Sequence, residues 1–356
     1  ADMDFRTAPA VVDVLKKRVE HGIFGYTKVP SEYYDSIVDW FGRKHNWTIE
    51  RDWIIYTTGV VPALSVIIKA LTSPGDKILV QTPVYNCFFS SIRNNGCEIV
   101  TNPLIYINGT YQINFDDLEK KAADPKVKLL LLCNPHNPAG RVWTKQELVR
   151  IGKICLQNDI LIVADEIHCE LVFPGHTYTP FASVSEEFLM HSVTCTSPSK
   201  AFNLAGLQTS NIFIPNRTLR KTFKKAIDQA GYSQLNTLGL VACQAAYEEG
   251  EPWLIELKKY LLENLDFSRN YIERNLPGVH LIEPEGTYLI WLDFRDLRLP
   301  EEKLEHLITK EAKLWLDSGA IFGSDGEGFE RINIACPRTT LKEAFDRLAK
   351  ALKSLG

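Results

Sequence analysis

An α/β protein, built on a mostly parallel seven-stranded sheet flanked by helices and completed by a smaller α+β C-terminal unit, is what the sequence predicts, on three observations. Seven short apolar runs, "WIIYT", "KILVQ", "CEIVT", "KLLLLC", "DILIVAD", "SVTCTS" and "NIFI", follow one another between residues 53 and 215. Most lack the period-2 alternation of a half-solvated strand, as expected of strands buried on both faces. Helical stretches such as 62–71 and 145–157 lie between several of them, the order that yields a parallel sheet covered by helices.

Beyond about residue 250 the pattern changes. A long charged amphipathic helix at 254–275 leads to "VHLIE" and "TYLIWLDF", then a helix at 301–316, "RINIA", and a last helix at 341–352. The expected division is an N-terminal arm at 1–12, a large domain at 13–253 and a small C-terminal domain at 254–356. Repeats and low-complexity tracts are absent, and Gly and Pro are dispersed rather than gathered into a linker.

The bulk properties narrow the function. At 356 residues the chain has room for roughly two domains with ample core. A net charge of −4 gives no electrostatic reason to expect nucleic acid or an anionic membrane surface. No apolar run approaches the roughly 20 residues of a membrane span, and "ADMDFRTAPAVVDVL" has neither the basic nor the apolar region of a signal peptide. The eight cysteines are scattered without a Cys-x-x-Cys pair, several within apolar runs. Reduced structural thiols and a cytoplasmic setting are expected. Asn46, Asn108 and Asn216 match the glycosylation triplet, but nothing else points to secretion.

In an open α/β sheet, ligands sit beyond the carboxyl ends of the strands, so the residues after each apolar run carry the functional signal. After "WIIYT" comes Thr58-Gly59-Val60-Val61-Pro62, a tight turn into a helix. Its free N–H groups suit a phosphate; an ordinary strand-to-helix turn would read the same. After "KILVQ", Tyr85 suits either stacking on a flat ring or filling the core. After "KLLLLC", "NPHNPAG" carries two Asn-Pro steps that stop strand and helix alike. A plain loop explains the prolines, whereas Asn137 offers an amide to a ligand.

"DILIVAD" ends in Asp165, a carboxylate closing a β-branched run, which needs a cation or hydrogen bonds. His168 follows three residues on; no third ligand stands at suitable spacing, so no metal is expected. After "SVTCTS" comes Lys200, hemmed by small hydroxyls and apolar residues in "SPSKAFNLAG". Alone, its spacing favours an ordinary surface lysine; the alternative is an amine whose pKa burial lowers for nucleophilic or basic work. A flat, phosphorylated, aldehyde-bearing pyridine would use every one of these groups: a lysine for the Schiff base, a carboxylate for the ring nitrogen, a stacking ring and a phosphate turn.

The motifs "NPHNPAG", "VADEIH" and "SPSKAFNLAGL" resemble those of the fold-type I pyridoxal-phosphate enzymes, the aspartate aminotransferase superfamily. More narrowly, "ADMDF", "FGYTKVPSEYYDSIVDW", "PVYNCFF", "DEIHCEL", "GTYLIWLDF" and "GFERINIACPR" resemble the MalY/PatB-type cystathionine β-lyases, or C–S lyases. The resemblance implies pyridoxal 5'-phosphate as cofactor, with Lys200 as the Schiff-base lysine and Asp165 the partner of the pyridinium nitrogen. It implies Asn137 and His168 at the phenolic oxygen, Tyr85 stacked on the ring, and Val60, Val61, Ser197 and Ser199 at the phosphate. Tyr26 would reach the phosphate of a neighbouring subunit, implying a homodimer. Arg338 would clamp the substrate α-carboxylate; on the residues alone it is only a polar residue after a strand, with a surface role as the default.

One position departs from the wider superfamily, where an Arg commonly stands eight residues after the lysine. Here that position is Gln208, as in the C–S lyase branch. The expected activity is β-elimination of L-cystathionine or a related S-substituted L-cysteine to thiol, pyruvate and ammonia. An aminotransferase acting on an amino acid and a 2-keto acid would use the same lysine and aspartate, and remains the alternative. A purely regulatory role would leave these residues without work. Nicotinamide or ATP chemistry is disfavoured, since no Gly-x-Gly-x-x-Gly or Gly-x-x-x-x-Gly-Lys follows a strand.

Overall fold

A computed structural model describes residues 2–231 and 234–354. Each of the seven apolar runs becomes a strand, and all seven join one sheet. In chain order they are β1 (Ile54–Thr57), β2 (Lys77–Val80), β3 (Glu98–Thr101), and then, after a small hairpin of β4 (Ile105–Ile107) and β5 (Thr110–Gln112), β6 (Val127–Cys133), β7 (Leu161–Asp165), β8 (Ser192–Thr196) and β9 (Ser210–Phe213). The sheet order is β1-β9-β8-β7-β6-β2-β3. Only β9 runs against its two neighbours; the other contacts are parallel.

The missing alternation has a direct cause. Along β6, Leu129, Leu131 and Cys133 enter the core on one face, while Leu130 and Leu132 enter the core on the other. Both faces are buried, so every position favours an apolar side chain, each worth about 1.5–3 kcal/mol when removed from water. On the first face lie α3 (Val60–Leu71), α4 (Cys87–Asn94) and α8 (Arg217–Gln229); on the second lie α5 (Phe115–Ala122), α6 (Lys145–Gln157) and α7 (Glu186–Met190). A capping box between Thr144 and Glu147 starts α6. A third apolar cluster joins α1 (Pro9–His21), α2 (Ser31–His45), α9 (Thr237–Glu249) and α10 (Glu251–Asn275) to the second sheet.

That second sheet contains β10 (His280–Ile282), β11 (Leu289–Asp293), β12 (Asp317–Ser318) and β13 (Phe329–Asn333), in the antiparallel order β10-β11-β13-β12. α12 (Arg338–Lys353) packs beside α10. The helix expected at 301–316 is shorter: α11 covers Glu301–His306, one π-turn follows at Leu307–Glu311, and Lys313 turns left-handed at φ 52°. The wider turn shifts the hydrogen-bond register, and a left-handed non-glycine residue cannot continue a helix. The chain thus reaches β12 with Trp315 97% exposed.

The N-terminal segment crosses between the two sheets. Asp4 N–H donates to Ala335 O at 2.9 Å, and Asn203 Nδ2 donates to the carbonyls of Met3 and Phe5. All eight cysteines are unpaired, seven of them buried. Asn46 and Asn108 sit at positive φ and Asn216 caps α8, so local backbone needs account for these three asparagines. Among the described residues no helix is long and apolar enough to cross a membrane.

Candidate active site

Parallel pairing brings the ends of three strands level. Cys133, Asp165 and Cys195 are registered partners across β6, β7 and β8, so the polar loops that follow open on one side. Nine of the residues singled out from sequence line a single cavity there: Val60, Val61, Tyr85, Asn137, Asp165, His168, Ser197, Ser199 and Lys200. Gln208, in a left-handed turn, lines it too.

Lys200 stands in a turn braced by its own hydroxyls. Ser197 Oγ donates to Thr209 O at 2.6 Å and accepts from Ser199 N–H at 3.0 Å. Burial holds the Lys200 amine below its usual range; Arg331 adds to this, while the Asp2 carboxylate, 4.0 Å away, opposes it. Asp165 is fully enclosed, and burial pushes its carboxyl up to about 7, against an Ile167 N–H at 3.2 Å and the Lys200 charge. Burial likewise lowers His168 to about 3, assisted by the cations of Lys200 and Arg331, so its imidazole is neutral. Burial also raises Tyr85.

Asn137 is held at both ends. Its N–H donates to Cys133 Sγ at 3.4 Å, and its Oδ1 accepts from Arg331 Nη1 at 2.7 Å. This fixes the amide with its Nδ2 donors left for a ligand. At the start of α3, Gly59 provides no side-chain cap for the first N–H groups, those of Val60 and Val61.

Two predicted residues are not brought into the cavity. Tyr26 is 97% exposed, beside exposed Ile23 and Phe24. Arg338 opens α12, donates from Nε to Asn264 Oδ1 at 2.6 Å and lies over the Phe267 ring; it is tied to α10. A buried cation does reach the rim of the site: Arg331 on β13, 5% exposed, donates to the cavity-lining Asn137 and to Asp317. Sequence reasoning passed over it, although an arginine inside the apolar strand "RINIA" requires a buried anion or amide as partner. That requirement was the available signal.

The similarity to known proteins extends over nearly the whole chain. Residues 2–348 match the aminotransferase class I and II family. The chain belongs to it. Cystathionine beta-lyase PatB of Bacillus subtilis is 43% identical over 99% of this chain and 91% of its own length. The crystal structure of cystalysin from Treponema denticola, which contains a pyridoxal 5'-phosphate cofactor, superimposes with a TM-score of 0.98 at 41% identity, covering 100% of this chain and 90% of that one. A pyridoxal-phosphate-bound putative aminotransferase from Clostridium difficile 630 gives a TM-score of 0.97 at 45% identity, covering 99% and 91%.

Proposed function

We propose that this protein is a pyridoxal-phosphate-dependent carbon–sulfur lyase, releasing a thiol from L-cystathionine or another S-substituted L-cysteine. The observation that carries the reading is the single cavity in which Lys200, Asp165, Asn137, His168 and the uncapped start of α3 meet. Its chemistry fits the cofactor: His168 Nδ1 is buried without a hydrogen-bond partner among the described residues, a cost that a bound polar group would relieve.

In this reading Lys200 holds the cofactor's aldehyde and Asp165 faces its ring nitrogen. Burial raises the Asp165 carboxyl in the cofactor-free cavity; a protonated ring nitrogen facing it would favour the ionised carboxylate, and that charge would in turn keep the proton on the nitrogen. Asn137 Nδ2 and His168 reach the phenolic oxygen, and Tyr85 covers the ring. The N–H groups of Val60 and Val61, with Ser197 and Ser199, hold the phosphate. Arg331, in place of Arg338, receives the substrate α-carboxylate.

When bound, the cofactor withdraws the electron pair released at the substrate's Cα. Lys200 Nζ, whose pKa burial lowers, is placed to take the Cα proton. The Cβ–S bond then breaks, the sulfur leaves as thiolate, and a proton makes it the free thiol. The remaining three-carbon enamine takes up water to give pyruvate and ammonia.

The working unit in this proposal is a cytoplasmic homodimer. The exposed run of Val19, Ile23, Phe24 and Tyr26 supports it, because contiguous apolar exposure marks a contact surface. Tyr26 would then serve the neighbouring phosphate. The test is to supply L-cystathionine to the cofactor-loaded protein and follow thiol and pyruvate. Release of both supports the lyase, whereas amino transfer to a 2-keto acid without thiol contradicts it and favours the aminotransferase alternative.

A further inference from the structure

Arg331 has five N–H donors, and the structure uses three of them. Nε and Nη2 both donate to Asp317 Oδ2, the Nε contact at 3.2 Å, and Nη1 donates to Asn137 Oδ1 at 2.7 Å. Nη1 and Nη2 each keep one N–H, the number a carboxylate takes from an arginine bidentately. Phe322 lies beneath the guanidinium at 4.7 Å and fixes its plane.

We propose that Asp317 is a positioning residue for the substrate: by occupying the Nε side of Arg331 it aims the remaining pair of N–H groups at the α-carboxylate. The inference rests on the reading of Arg331 as the carboxylate site. Asp317 stands directly across the strand pair from Arg331. β12 has only two residues and lies at the sheet edge. Arg331 is 5% exposed and the Asp317 side chain 45% exposed, so the contact compensates a buried cation and also fixes which way its remaining donors point. Without it, Nε and Nη2 lose their anchor, and the guanidinium swings within its plane about the remaining Asn137 contact.

The test reads binding rather than turnover. L-alanine carries the α-carboxylate but no leaving group; ethylamine carries only the amine. Each is titrated into the cofactor-loaded protein while the cofactor's visible absorption is followed. D317A is expected to weaken L-alanine about tenfold and leave ethylamine within twofold. D317N, which keeps an acceptor oxygen for Nε and Nη2, is expected to stay within about threefold of wild type for both. Equal losses for the two ligands, no loss, or tighter L-alanine binding in D317A would overturn the role of Asp317; tightening would mean that its charge, not its aim, governs the site. A wild-type protein that binds cofactor but answers neither ligand would overturn the reading of the site itself, and this inference with it.

Discussion

Asp165 and Glu166 are neighbours at the end of one strand, and their surroundings give them different roles. Glu166 is satisfied by the Tyr178 hydroxyl and the Phe181 N–H, so its carboxylate braces the loop below the site. Asp165 accepts one N–H and faces the cavity. Replacing Lys200 with Ala should abolish thiol release and the visible band of the attached cofactor, measured on the same sample. Asp165→Ala should keep part of the cofactor yet lower kcat at least a hundredfold, since among the described residues no second carboxylate lines the cavity; an unchanged rate contradicts the proposed role. At this scale the gathering of Lys200, Asp165 and Asn137 at one cavity was legible, because each follows a strand end. The placement of the two arginines was not: Arg338 lies beyond the strand yet is tied to α10, whereas Arg331 lies within the strand and bonds to Asn137.

The elements follow from the same local rules, and their errors have local causes. All seven main strands could be read because burial on both faces leaves an uninterrupted apolar signal. The end of the 301–316 helix could not, because the amphipathic pattern continues through the π-turn and breaks only in the backbone at Lys313. Packing between elements adds constraints that no pattern carries. A Cβ on Gly152 of α6 would stand 2.2 Å from Phe188 Cζ of α7. Gly152→Ala should therefore lower the midpoint of denaturant unfolding by the equivalent of about 1–3 kcal/mol despite the helix propensity gained. A neutral or stabilising result would mean that the short α7 yields freely.

For the whole molecule, burial of the site's acids makes stability depend on pH. In the cofactor-free protein Asp165 binds its proton up to about pH 7, while in the unfolded chain it lets go near 4. Its contribution is fully present below about pH 4 and is lost as pH rises through 7, on the order of 4 kcal/mol in all. Glu166, pushed up to about 8 by burial, acts in the same direction. The thermal midpoint of cofactor-free protein should fall between pH 5 and 8, and Asp165→Asn should remove part of that fall; an identical slope in the variant would contradict the assignment. The subunit arrangement has its own test. If Tyr26 serves the neighbouring site, then mixing inactive Lys200→Ala subunits with Tyr26→Ala subunits should restore activity through hybrid dimers, beyond the average of the two parents. The division into large and small sheets was visible in the change of sequence pattern near residue 250, but how the N-terminal segment spans both was not, since it depends on hydrogen bonds such as Asp4 to Ala335 between distant residues.

The most direct measurement is the absorption spectrum of the purified protein with pyridoxal phosphate, followed by addition of L-cystathionine. A visible band that responds to the substrate, with thiol and pyruvate released in equal amounts, is the predicted result. Absence of any band after cofactor is added, or a band with no thiol released, would contradict the account.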